Sequence, residues 1–214
     1  MKPAKLKKNR HESKLDWPQT VIDKDFAKTL QNQANLAIPL KLNLGSGPTR
    51  KEGFTSVDAI AFPGVDVVLD LRKPWPWKDN SVEEVHCSHC LEHFTAMERV
   101  YVLNEMHRVM KVGAKCTLIC PHWASCRAYG DPTHQWPPVS EFAFFYWKRD
   151  WRMANAPHTD KTNLSGGFNC NFDVTWGYSL EPGVAMRNQE YQQMAMTYYK
   201  EACQDIIATL VKLA

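Results

Sequence analysis

Between Leu40 and Gly47 the chain runs Leu-Lys-Leu-Asn-Leu-Gly-Ser-Gly, a short apolar strand that breaks into a glycine turn. Two more apolar stretches follow closely, Thr55-Ser56-Val57-Asp58 and residues 65–71, and acids stand at Asp58 and Asp70 near their ends. Only residues 48–53 separate the first strand from the second. Parallel neighbours normally need a dozen or more residues to cross over, usually as a helix. The first crossover is therefore reduced to a single helical turn or none. The order strand, turn, strand, strand, strand, helix, strand, with buried apolar residues in the strands, points to an α/β fold with a parallel sheet.

In such a sheet ligands collect beyond the carboxyl ends of the strands. Gly45 and Gly47 let backbone approach a ligand where a Cβ would collide or φ must be positive. A carboxylate at the end of the second strand can accept from both vicinal hydroxyls of a ribose. Gly-x-Gly after a strand also begins the dinucleotide fingerprint, which fits poorly here. Its third glycine would fall at Arg50, and its ribose acid belongs about 20 residues on, whereas Asp58 follows Gly47 by 11. An adenosyl cofactor and a plain bend without ligand are the remaining readings.

Further along, residues 74–81 form a rigid turn with Trp75 and Trp77 as aromatic anchors, and Val82–Ser88 reads as a fourth strand. After it comes the densest polar cluster, Cys87-Ser88-His89-Cys90-Leu91-Glu92-His93. Its Cys-x-x-Cys lacks the second ligand pair of a closed zinc site, and no metal is expected from it. Glu92 and His93 either take part in chemistry or cap the next helix, expected over residues 94–111 with Val102, Leu103, Met106, Val109 and Met110 on one face and Gly113 as terminator. Residues 115–121 give a fifth strand. Residues 121–160 are aromatic and aperiodic, and read as a cap over the site. Lys148, Arg149 and Arg152 there read as a solvated charged face. Two more strands are expected, at residues 168–179 and 205–213, with a helix at residues 188–203 between them. A helix also fits residues 16–36.

The motifs Leu-Asn-Leu-Gly-x-Gly, Val-Asp, Asp-Leu and Leu-Glu-His, over about residues 40–140, resemble those of small class I S-adenosylmethionine-dependent methyltransferases. The resemblance implies a Rossmann-like α/β fold: a seven-stranded, mostly parallel sheet with one antiparallel strand and a shortened first helix. It implies S-adenosylmethionine as cofactor. Leu44, Gly45, Ser46 and Gly47 would form the loop at its methionyl part, Asp58 would accept the ribose, and Asp70 with Leu71 would face the adenine. Ser88 and His89 would border the transferring methyl. A segment like Asp131-Pro132-Thr133-His134 lies near the acceptor in that family, so Asp131, His134 and Trp136 are substrate-binding candidates. Methyl transfer needs a general base only when the acceptor starts protonated, and the histidines placed for it are His89, His122 and His134.

Composition narrows the surroundings. With 214 residues and 44% hydrophobic content, one soluble domain over residues 16–214 is expected. No run is long and apolar enough to span a bilayer, the amino terminus lacks a signal-peptide core, and seven scattered cysteines suit reduced thiols. A cytosolic protein without membrane contact is expected. Of the net charge of +3, residues 1–15 carry +5 and the rest −2. The basic excess thus sits in a tail expected to be disordered, and a small or medium acceptor methylated on oxygen or nitrogen fits better than nucleic acid. The alternatives are a protein or nucleic-acid methyltransferase docking through that tail, and a binding protein that keeps the cofactor without transferring the methyl.

Overall fold

The computed structural model describes residues 39–160 and 167–214; the expected basic tail and the helix at residues 16–36 lie outside the described residues. Four strands come first: β1 (Leu40–Leu44), β2 (Thr55–Asp58), β3 (Val67–Val68) and β4 (Val82–Ser88). A 3₁₀ turn at Leu91–His93 then leads into helix α1 (Ala96–Val109) and strand β5 (Met110–Pro121). Three short helices follow, α2 (Arg127–Gly130), α3 (Glu141–Tyr146) and α4 (Arg149–Asn155). The chain ends with β6 (Phe172–Leu180), α5 (Pro182–Ala185), α6 (Gln189–Tyr198) and β7 (Cys203–Lys212).

The seven strands form one sheet in the order β3-β2-β1-β4-β5-β7-β6. The pairs from β3 through β5 are parallel, and β7 runs antiparallel to both β5 and β6. Fully buried Leu42, Leu44, Val57, Val85, Cys87, Leu118, Ile206 and Leu210 make the sheet the centre of the core. The expected seven-stranded sheet with one antiparallel strand is what forms. The first crossover holds turns and no helix, within the expectation of one turn or none. The third strand is much shorter than residues 65–71 suggested: only Val67 and Val68 pair as strand, the Leu69 N–H still donates to the Asp58 carbonyl at 2.8 Å, and the chain turns at residues 71–73.

Helix α1 starts where side chains can satisfy its free N–H groups. Thr95 accepts from the Glu98 backbone N–H at 3.4 Å while the Glu98 carboxylate accepts from the Thr95 N–H at 2.8 Å, a reciprocal capping box. Val102, Leu103, Met106 and Val109 bury its inner face. The helix stops at Val109 rather than at Gly113, and Met110 already pairs with Val82. Gly113 instead lies inside β5 at φ +81°, in an irregular stretch where the register slips between the Val82–Met110 and Glu84–Lys115 pairs. The tryptophan anchors hold: Trp75 and Trp77 are buried and pack edge to face at 5.8 Å. Arg108 of α1 fastens them by donating to the Trp75 and Trp77 carbonyls and pairing with Asp79 and Glu105.

The aromatic region is more ordered than its aperiodic sequence suggests, for helices α2 to α4 lie within it. Arg152 corrects the expectation of a solvated face. It is 1% exposed, and its guanidinium donates to Asp160 at 2.6 Å, the Tyr146 carbonyl at 2.7 Å and the Cys170 carbonyl at 2.9 Å. Residues 203–212 form a strand rather than a helical extension. The helix expected over residues 188–203 is shorter, ending at Tyr198.

Candidate active site

The carboxyl ends of β1, β2, β3 and β4 open on one cavity of about 690 Å³. Gly45, Gly47, Asp58, Asp70, Leu71 and His89 line it, as do Ile60, Phe62, Arg72, Cys90, His93, Phe94, Thr133 and Gln135. Most of the residues placed at a cofactor from the sequence thus meet at one sheet edge.

Gly45 sits at φ +63°, and a Cβ there would fall well inside contact distance of Cys90 Sγ and Cβ. Gly47, at φ +53°, has open space on its Cβ side, so its glycine answers to backbone conformation alone. The Ser46 N–H donates to the Val57 carbonyl at 3.1 Å and stitches the turn to β2. Asp58 is held from two sides: Oδ2 accepts from the Gly47 N–H at 2.8 Å and Oδ1 from the Ile60 N–H at 2.9 Å. Each oxygen keeps further acceptor capacity. This is a fixed carboxylate facing a cavity over a glycine turn.

Asp70 is 9% exposed and gripped by Arg72, whose Nε donates to Oδ1 at 2.8 Å and whose Nη2 donates to Oδ2 at 3.1 Å. Burial raises the Asp70 pKa, but the hydrogen bonds and charge of Arg72 outweigh it and hold the carboxyl below its usual value. His89 stands just beyond β4 at φ +51°, a left-handed conformation that costs a non-glycine residue energy. Its N–H donates to the Ile119 carbonyl at 2.8 Å, and Nδ1 lies 3.3 Å from Glu92 Oε1. That distance is an ion pair's, yet the angle is not a hydrogen bond's, and neither Glu92 oxygen has a hydrogen-bond donor among the described residues. We take the contact as electrostatic. Glu92 raises the His89 pKa, and burial only partly opposes it.

Several expectations need correction. Leu44 is fully buried, and neither it nor Ser46 nor Ser88 lines the cavity. His122 is 3% exposed with both ring nitrogens occupied, Nδ1 accepting from the Ala124 N–H and Nε2 lying 2.9 Å from Glu141 Oε1. It fixes the cap and has no lone pair left to act as a base. Trp136 is 77% exposed beside a separate open groove with Trp123, Tyr129 and Phe142. In the Asp131 segment it is Thr133 and Gln135 that face the cavity, while Asp131 accepts from the Thr133 N–H and hydroxyl at 2.8 and 2.7 Å. His134 packs edge to face on His93 at 4.8 Å. Cys87 and Cys90 are buried free thiols, and the Cys90 pKa is pushed well up by its bond to Cys87 and by burial, so the pair is not a reactive dithiol.

The cavity residues Phe94, Thr133 and Gln135 escaped sequence reasoning. Phe94 directly follows Leu-Glu-His, and the other two alternate with residues that did draw notice.

A methyltransferase-domain family profile matches residues 50–118, from the first crossover into β5. Over that third of its length the chain is similar to methyltransferase domains. The fold is similar to that of a SAM-dependent methyltransferase from Archaeoglobus fulgidus, with a TM-score of 0.56 at 16% identity over 89% of this chain and 95% of that one. A Burkholderia thailandensis 1,6-didemethyltoxoflavin-N1-methyltransferase is matched at 13% identity, covering 88% of this chain and 77% of that one, with a TM-score of 0.49. No curated protein matches the chain in sequence. Among the described residues no helix is long and apolar enough to cross a membrane.

Proposed function

We propose that the cavity places S-adenosylmethionine across the ends of β1 to β4 and that its methyl passes directly to an oxygen or nitrogen of a small or medium acceptor. The observation that carries this reading is Asp58, fixed by the Gly47 and Ile60 N–H groups and turned toward the cavity. In that pose the glycine turn lies along the methionyl part and ribose. Asp58 accepts the ribose hydroxyls. Leu71 packs beside the adenine, and Asp70, engaged by Arg72, shapes that end of the cavity.

The reaction asks mainly for placement. The sulfonium already activates the methyl, so an in-line nucleophile at near-attack distance supplies much of the acceleration. His89 is the candidate base: it lines the cavity, whereas His122 is fully engaged and His134 is not among the lining residues. A hydroxyl or protonated amine would surrender its proton to His89 as the new bond to carbon forms and the carbon–sulfur bond breaks.

The test is binding followed by turnover. Calorimetry with S-adenosylhomocysteine is expected to show one site per chain. Radiolabelled methyl transfer screened against pools of small hydroxyl and amine acceptors is expected to find a substrate. Failure of the product to bind would refute the cavity assignment. Tight binding without transfer to any acceptor would favour a binding protein.

A further inference from the structure

Beside the cavity, three side chains from two distant parts of the chain converge. Glu92, His93 and His134 each offer one ligand atom, and these atoms lie within 4.8 Å of one another. The convergence is built. Arg99, 8% exposed, donates to the carbonyls of Leu91, Glu92, Gln135 and Pro137. The Gln135 N–H also donates to the Glu92 carbonyl at 2.9 Å. The turn carrying Glu92 and His93 is thereby clamped to the segment carrying His134.

What these groups lack is as telling as where they stand. Glu92 is 4% exposed, and neither carboxylate oxygen has a hydrogen-bond donor among the described residues. His134 Nδ1 is likewise buried without a partner. A buried carboxylate left this way costs several kcal/mol unless a cation completes it, and His89, 3.3 Å from one oxygen, leaves the other unmatched.

The tautomers favour coordination too. Asp131 only accepts, so the Thr133 hydroxyl spends its single proton on Asp131 at 2.7 Å. His93 Nδ1, 3.0 Å from the same hydroxyl, must then donate to it, which leaves the His93 Nε2 lone pair free. His134 Nε2 faces Asp131 Oδ2 at 3.9 Å, which favours its proton there and the lone pair on buried Nδ1. Asp131 thus stands beside one ring and reaches the other through the Thr133 hydroxyl, similar to the outer-shell carboxylates that commonly fix metal-bound histidines.

We propose that Glu92, His93 and His134 bind a divalent transition cation of the zinc class, with an open coordination position toward the methyl-transfer cavity. Two imidazoles and one carboxylate make an open ligand set of this kind. Bonds of about 2.0–2.2 Å require the ligand atoms to close by roughly 1 Å from their present spread, and Glu92 has no hydrogen bond holding it back. Since His93 and Thr133 line the cavity, the open position would face an acceptor. The ligand set stands without the cofactor assignment, and only the acceptor at its open position rests on the proposed function.

The test uses the full chain under reducing conditions, with Zn²⁺ in a competition titration and Co²⁺ as a spectroscopic probe. One equivalent of Zn²⁺ should bind, and the Co²⁺ spectrum should lack the sulfur-to-metal charge-transfer band of thiolate ligation. Glu92→Gln and His134→Asn should each weaken Zn²⁺ binding by at least about 100-fold, and Thr133→Val, which touches the site only through His93, by about 10–100-fold. Melting curves without metal establish that each variant folds. Absence of stoichiometric Zn²⁺ binding by the wild-type chain, a thiolate band, or wild-type affinity in whichever ligand variant folds would overturn the site.

Discussion

Replacing Asp58 by alanine isolates the interaction on which the cofactor pose rests. The carboxylate is already oriented by the Gly47 N–H at 2.8 Å and the Ile60 N–H at 2.9 Å, so a ribose meets an acceptor that needs no further ordering. Charge-assisted hydrogen bonds are worth about 1.5–3 kcal/mol each, and water satisfies the ribose hydroxyls in the free ligand. The net loss should be about 2–3 kcal/mol, which raises the Kd for S-adenosylhomocysteine roughly 30–150-fold. The fold itself should lose only about 1 kcal/mol, because Ile60 is 58% exposed and water can replace its lost acceptor. Calorimetry gives the Kd, and a melting curve confirms folding. Asp58→Asn should bind almost as weakly, since its amide must point two hydrogens at one of the backbone N–H groups. A folded Asp58→Ala protein with affinity within about twofold of wild type would refute the ribose assignment.

Other outcomes follow from the same geometry. Gly45→Ala adds a methyl against Cys90 at a positive φ and should destabilise the fold by about 1–3 kcal/mol while weakening product binding; a neutral variant would show that the turn is not built as described. Arg152→Ala strips donors from Asp160 and two carbonyls and should lower stability by about 3–5 kcal/mol, a drop in Tm of roughly 10 °C by scanning calorimetry. For Glu141, burial pushes the pKa up, but bonds from His122 and Tyr178 bring it down to about 2 from 4.5. A depressed carboxyl pKa stabilises the fold above its unfolded value, and that share is lost as pH falls from about 4.5 towards 2. The stability difference between wild type and Glu141→Gln should therefore shrink over that window in acid melts, and a constant difference would contradict the pairing.

How much was legible in the sequence depended on whether the signal was local. Strands β1, β2 and β4 were readable because each sets β-forming apolar residues such as Leu42, Leu44, Val57 and Val85 into the core and ends in a glycine turn, an acid or a polar cluster. The Gly45–Gly47 turn and the place of Asp58 at the end of the next strand were readable in the sequence, while their roles came from the family resemblance. Strand β3 was overread because Leu69 and Leu71 are apolar for the cavity wall rather than for the sheet. The end of α1 was misplaced because Gly113 serves an irregular stretch of β5, a role that looks in sequence like a helix terminator. Arg152 was misread because charge normally means solvent, and only the fold reveals the carbonyls converging on it. The chemistry of the Asp131 segment was half visible: its importance could be read, but which side chains face the cavity depends on the clamp made by Arg99 across 36 residues to Gln135. The grouping of Glu92 and His93 with His134 was hidden for the same reason.

The central claim is that the ends of β1 to β4 hold the adenosyl cofactor, and a crystal structure with S-adenosylhomocysteine tests it most directly. The ribose hydroxyls should lie within hydrogen-bond distance of Asp58, with the sulfur near His89 and the adenine against Leu71. Product bound elsewhere, or in this cavity with its ribose turned away from Asp58, would contradict the account.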